Sequence, residues 1–97
     1  MKVDIHEYAE GAIILTGFES AIVGIVEEFG TGRRILYSKH KILDILQTKD
    51  SMTYSEAEEY FDYNIIGGYF GDQNPVFLDL ELVPTQINGD WEYELPN

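Results

Sequence analysis

The chain contains no cysteine. Disulfides and thiolate metal sites are therefore excluded, and nothing calls for an oxidising compartment. Lys and Arg number only six, with none after Lys49, so a strongly basic face of the kind that binds nucleic acid is not expected. Long hydrophobic runs are also missing. Residues 12–15 form one of the longest apolar stretches, far too short to span a bilayer. The opening MKVDIHEYAEG has no apolar stretch after its Lys and is not expected to act as a secretion signal. These absences lead to the expectation of a cytoplasmic protein with no membrane partner.

Catalytic motifs are absent as well. No G-x-S-x-G, P-loop, dinucleotide fingerprint or H-E-x-x-H occurs. The two histidines, His6 and His40, stand outside any motif. His40, four residues before Asp44 on an expected helix, reads as a local surface contact. Gly67, Gly68 and Gly71 follow a helical pattern and sit among acids, whereas a phosphate cradle needs helix N-terminal amides and usually a Lys. A D-x-D-x-D-G calcium loop is lacking too. The chain is expected not to be an enzyme and to use neither cofactor nor metal.

What is present is one domain of 97 residues, a size that buries about 60–65% of the surface of the unfolded chain. A hydrophobic fraction of 44%, with seven Tyr and five Phe, argues for a folded core. The net charge of −12 is unevenly spread. Residues 1–32 carry −5, residues 33–49 carry +4, and residues 50–97 carry eleven acids and no base. Such a surface repels anionic partners and steers toward basic ones, or it serves only to keep an aromatic-rich domain soluble and monomeric.

The periodicity predicts an α+β fold: a β-hairpin, two consecutive helices packed on one face of the sheet, then further antiparallel strands. Residues 1–8 alternate Val3 and Ile5 with Asp4 and His6, as a short half-buried strand would. Residues 12–15 suit a buried strand between Gly11 and Gly17. Residues 21–29 are rich in β-branched residues, and Gly24 disfavours a helix interior by about 1 kcal/mol relative to Ala. With Gly30 and Gly32 before a strand at residues 34–37, a hairpin is the natural reading. A helix over residues 19–29 competes with it.

Ser38 is placed to cap a helix over Lys39–Lys49 whose apolar stripe is Ile42, Leu43, Ile45 and Leu46. Thr53 and Glu56 make a T-x-x-E capping box for a second helix. Its expected buried face is Ala57, Tyr60, Phe61, Asn64 and Ile65, with Asn64 as a satisfied core amide. Gly67 and Gly68 are expected to stop it with a left-handed residue. Tyr69 with Phe70, and residues 76–82, read as strands around a turn at residues 71–75; Val76, Leu78, Leu80 and Leu82 would share the buried face. Residues 83–97 carry an Asn88-Gly89 turn signal with Trp91, Tyr93 and Leu95 on one side. They read as a strand or hairpin arm, or as a mobile tail.

The residues that stand out as candidate partner contacts are acids and aromatics. Glu56, Glu58, Glu59 and Asp62 would form an acidic ridge on the second helix, at spacings where like charges disfavour an isolated helix. That ridge is either a solvated face or a dock for a basic partner, or a partial imitation of a phosphate backbone. Tyr63 and Tyr54 lie off the buried stripe, and Tyr is favoured at interface hot spots. With Tyr63 taken from the two tyrosines, Asp72, Trp91, Glu92 and Glu94 complete a set of nine candidates.

A motif runs through the middle of the chain: Ala21-Ile22-Val23-Gly24, Leu36-Tyr37, Ile45-Leu46, Asp50, Met52, Thr53, Glu56-Ala57, Glu59-Tyr60-Phe61, Asn64-Ile65-Ile66-Gly67, Gly71-Asp72, Pro75 and Phe77. It resembles a family of small proteins encoded by tailed bacteriophages, with the segment TxxEAxEyFeyNiiGayvGexxPxF. The resemblance carries no activity with it and implies a phage-type origin and a host-cytoplasm location. The function expected from these features together is that of an acidic accessory protein binding a basic protein partner, such as a host or defence component. The alternatives are a self-associating structural protein, in which residues 33–49 of one copy meet the acids of another, and a small-molecule binder or enzyme.

Overall fold

The computed structural model describes residues 1–68 and 70–96. Its order is a helical turn α1 (Ile5–Tyr8), a 3-10 turn (Glu19–Ala21), strands β1 (Ile22–Glu28) and β2 (Gly32–Ser38), helices α2 (Lys39–Lys49) and α3 (Tyr54–Tyr60), a π-helical extension (Phe61–Ile66), then β3 (Val76–Leu78), β4 (Val83–Ile87) and β5 (Asp90–Glu94). The fold is α+β, and a hairpin precedes the helices. Among the described residues, no helix is long and apolar enough to cross a membrane.

Residues 21–29 form a strand, not a helix. β1 pairs antiparallel with β2 from Glu28↔Gly32 back to Ile22↔Tyr37, with a bulge at Val23. Gly30 and Gly32 hold positive φ at the turn, which β-branched residues cannot do cheaply. β2 leads directly into α2, where the Ser38 hydroxyl accepts from the Lys41 amide at 3.3 Å. Ile42, Leu43 and Leu46 are buried on this helix. The α3 capping box is complete: Thr53 N–H donates to the Glu56 carboxylate at 2.9 Å, and Glu56 N–H donates to the Thr53 hydroxyl at 3.2 Å.

The three-stranded sheet has the order β1-β2-β3, but β3 runs parallel to β2. The expectation of antiparallel strands after the helices therefore holds for β4 and β5 and fails for β3. The two intervening helices act as the crossover that a parallel pair needs. Register decides which face is inside. Tyr37 lies beside Phe77, with ring centroids 6.0 Å apart. Phe61 meets Phe77 edge-on at 5.2 Å. The helices thus pack on the face carrying Ile35, Tyr37 and Phe77, and this is the core. Phe77, rather than Val76 and Leu78, points to the helices, so the predicted inner face of this strand is reversed. The strand also ends at Leu78, and Leu80 and Leu82 beyond it are exposed.

Other expectations are corrected as well. Residues 5–8 are a helical turn because Asp4 caps it, its carboxylate accepting from the His6 and Glu7 amides at 3.0 and 3.3 Å. Residues 12–15 pair with no strand. Instead Ile13 N–H reaches the Gln73 carbonyl at 3.2 Å and Leu15 N–H reaches the Tyr37 hydroxyl at 2.7 Å. On the second helix only Ala57, Phe61 and Ile65 are buried, while Tyr60 and Asn64 are exposed. The π-helical widening after Tyr60 resets the face to every fourth residue, where a 3.6-residue period would also have turned Asn64 inward.

Gly67 and Gly68 end this helix without a left-handed residue, since neither has positive φ. A Cβ on Gly67 would lie 3.1 Å from the Asp62 carbonyl, and one on Gly68 would lie 2.8 Å from the Phe70 ring. Their role is close approach. The amide that ties the helix end to the next loop is Asn74, not Asn64: its Oδ1 accepts from Phe70 N–H at 2.8 Å and its Nδ2 donates to the Gly68 carbonyl at 3.3 Å. Phe70 is not in a strand, and Tyr69, expected to share one with it, lies outside the described residues.

Candidate functional site

β4 and β5 form a sheet of their own. The Asn88-Gly89 signal is realised as a two-residue turn in which both residues have positive φ, 52° and 86°, the backbone of a type I′ turn. The hairpin-arm reading of residues 83–97 therefore holds over Val83–Glu94. Of the twelve residues from Val83 to Glu94, all but Thr85 are exposed. Among the described residues, none after Phe77 contributes to the hydrophobic core.

The register sorts the arm into two faces. Residues opposite one another on antiparallel strands point to the same side. Pro84↔Tyr93 and Gln86↔Trp91 make an aromatic face, whereas Val83↔Glu94, Thr85↔Glu92 and Ile87↔Asp90 make one whose β5 half is entirely acidic. Trp91 and Tyr93 keep 59% and 62% of their surface exposed, and Leu95, which continues the aromatic face, keeps 62%. An isolated two-stranded hairpin is marginal in water. None of its described residues joins the core, and it presents two large aromatic side chains to solvent.

The nine candidate contact residues do not converge on one concave site. Glu56 is engaged in the capping box; the Thr53 amide, then the Thr53 hydroxyl, hold its carboxyl below the ordinary value. Glu58 lines an open cleft of about 760 Å³, together with Lys39, His40, Tyr54, Asp79 and Leu95. Glu59, Asp62 and Tyr63 are exposed, Tyr63 at 78%, so the acidic ridge is split rather than continuous. Asp72 is exposed in the turn before β3, where its neighbours are partly buried or buried. Trp91, Glu92 and Glu94 are together on β5. A second open cleft, of about 830 Å³ beside Glu7, Glu10, Glu27, Glu28 and Arg33, contains none of the nine.

Around that second cleft the chain is tied together by two side chains that sequence reasoning passed over. Gln73 Nε2 donates to the Glu10 and Arg33 carbonyls at 3.0 and 2.8 Å. The Arg33 guanidinium lies 4.0 Å from the centre of the Tyr8 ring and donates to the Tyr8 carbonyl at 3.0 Å. Arg34 pairs with Glu28 across the hairpin, and Lys39 with Asp79 at 3.8 Å. Several of the few cations are thus engaged internally. His40 and Asp44, expected to touch, form no ion pair among the described residues. Nor do any three His, Asp or Glu groups there come together as metal ligands would.

Tyr93 and Ile87 belong to the exposed arm and were not among the candidates. The signal that finds them is the alternation Trp91-Glu92-Tyr93-Glu94 directly after an Asn-Gly turn. Compared with protein-family models, curated proteins and solved structures, the chain matches none.

Proposed function

We propose that the chain is a non-enzymatic accessory module that binds a basic protein partner through its C-terminal arm, with Trp91 and Tyr93 as apolar anchors and Glu92 and Glu94 as charge partners. The observation that carries this reading is an aromatic face on a hairpin that has no core beneath it. Aromatic anchors beside a polar rim are the usual anatomy of a binding hot spot. The lack of any base after Lys49 makes a cationic partner the complementary one and raises its rate of encounter. The phage-type resemblance of the middle segment supports an accessory role directed at a host or defence component.

The test is capture from a cell lysate at low salt, comparing the natural chain with the W91S/Y93S double variant. The expected result is a protein retained by the first and lost by the second, with unchanged helix content by circular dichroism. Capture of the same proteins by both chains, or of none, would overturn the reading.

A further inference from the structure

The arm offers two open edges, and they are not equivalent. A two-residue turn makes Ile87↔Asp90 a hydrogen-bonded pair, and such pairs alternate with non-bonded ones along an antiparallel ladder. Gln86↔Trp91 and Pro84↔Tyr93 are therefore the non-bonded pairs of the register, and their backbone groups point outward. On β4 the outward position at residue 84 is a proline, which has no N–H to offer. On β5 the outward positions are Trp91 and Tyr93, and each keeps its donor and acceptor. The β4 edge is blunted. The β5 edge is a complete template for another strand.

Charge decides what the template takes. Asp90, Glu92 and Glu94 stand on one face of β5, with Trp91 and Tyr93 on the other. A second copy of this edge would set acid against acid, which is destabilising for residues directly opposite. We infer that the free edge of β5 takes up an extended segment of a partner protein by antiparallel strand addition, and that this segment alternates Lys or Arg with apolar residues. Its cations lie along Glu92 and Glu94, its apolar side chains beside Trp91 and Tyr93, and its apolar residues supply the amides that bond to β5. This inference rests on the partner-binding reading above and gives it a chemistry and a geometry.

The sequence holds a single tryptophan, and it lies on this edge, so emission of the full chain reports binding directly. The probe is the acetylated peptide Lys-Val-Lys-Ile-Lys-Val-Lys. Titration is expected to shift Trp91 emission to the blue and to saturate, with Kd rising at least about tenfold from low to high salt. Methylating the Val and Ile amides of the peptide should abolish binding, whereas methylating its Lys amides should not. The E92K/E94K variant should prefer the corresponding Glu-Val peptide by at least about tenfold.

No emission shift at millimolar peptide, or equal binding of the two methylated peptides, overturns strand addition without recourse to any variant. A lysate partner that still requires Trp91 and Tyr93 in that case leaves the partner-binding reading intact. Loss of that dependence as well overturns both.

Discussion

The hairpin of β1 and β2 and the hairpin of β4 and β5 share an antiparallel ladder and a glycine-containing turn, yet only the first is part of the core. β2 gains a third strand on its far side and two helices over its inner face, burying Ile35 and Tyr37 completely. The second hairpin has neither, although its aromatic content is at least as high. What separates them is a facing layer: the segment after β2 builds two helices and returns as β3, whereas no described residue past Phe77 joins the core. Hydrophobic side chains alone do not make a core; they need a facing layer.

The largest expected break of this contrast is Phe61→Ala. The ring is fully buried and joins the helix to Phe77, so its loss should cost about 3–5 kcal/mol, measured by urea unfolding. Gln73→Ala comes next. It strips two backbone carbonyls, 63 and 40 residues away in sequence, of their shared donor, and should cost about 1–3 kcal/mol.

A pH effect on the first hairpin follows in size. Burial raises the Tyr37 pKa above its ordinary value, with the Glu19 charge adding to this and the hydrogen bond from Leu15 opposing it. A group whose folded pKa is raised contributes stability that is fully present below the unfolded value, near 10.0, and is lost as pH rises through the folded one. Unfolding free energy should accordingly hold steady toward pH 10 and fall above it, and Tyr37→Phe should remove that alkaline fall. The smallest effect belongs to the second hairpin: W91S/Y93S should change global stability by less than about 0.5 kcal/mol.

The same contrast explains how much was legible in the sequence. The β1–β2 hairpin, the Ser38 cap, the Thr53–Glu56 box and the Asn88-Gly89 turn are local chemistry, and each was readable within a few residues. What escaped depends on distant partners. β3 looks like any alternating strand until Tyr37 is placed beside Phe77, and that non-local pairing reverses its inner face. Asn64 fits a helical stripe until the helix widens after Tyr60. Residues 3–6 do alternate, but Asp4 with Glu7 three residues on is also a helix-start signal, and the capping bonds prevail over a weak strand pattern. The candidate site was legible in Trp91, Glu92 and Glu94. The split of the α3 acids between cap, cleft and open surface required the structure.

The central claim is that the C-terminal arm lacks a core of its own and awaits a partner strand. Native-state amide hydrogen exchange on the free protein tests it most directly. The account predicts that amides along β1 and β2 exchange only by global unfolding, whereas those of β4 and β5 exchange by a local opening several kcal/mol cheaper and gain protection when the Lys-Val peptide is added. Equal protection of the two hairpins in the free protein would contradict it.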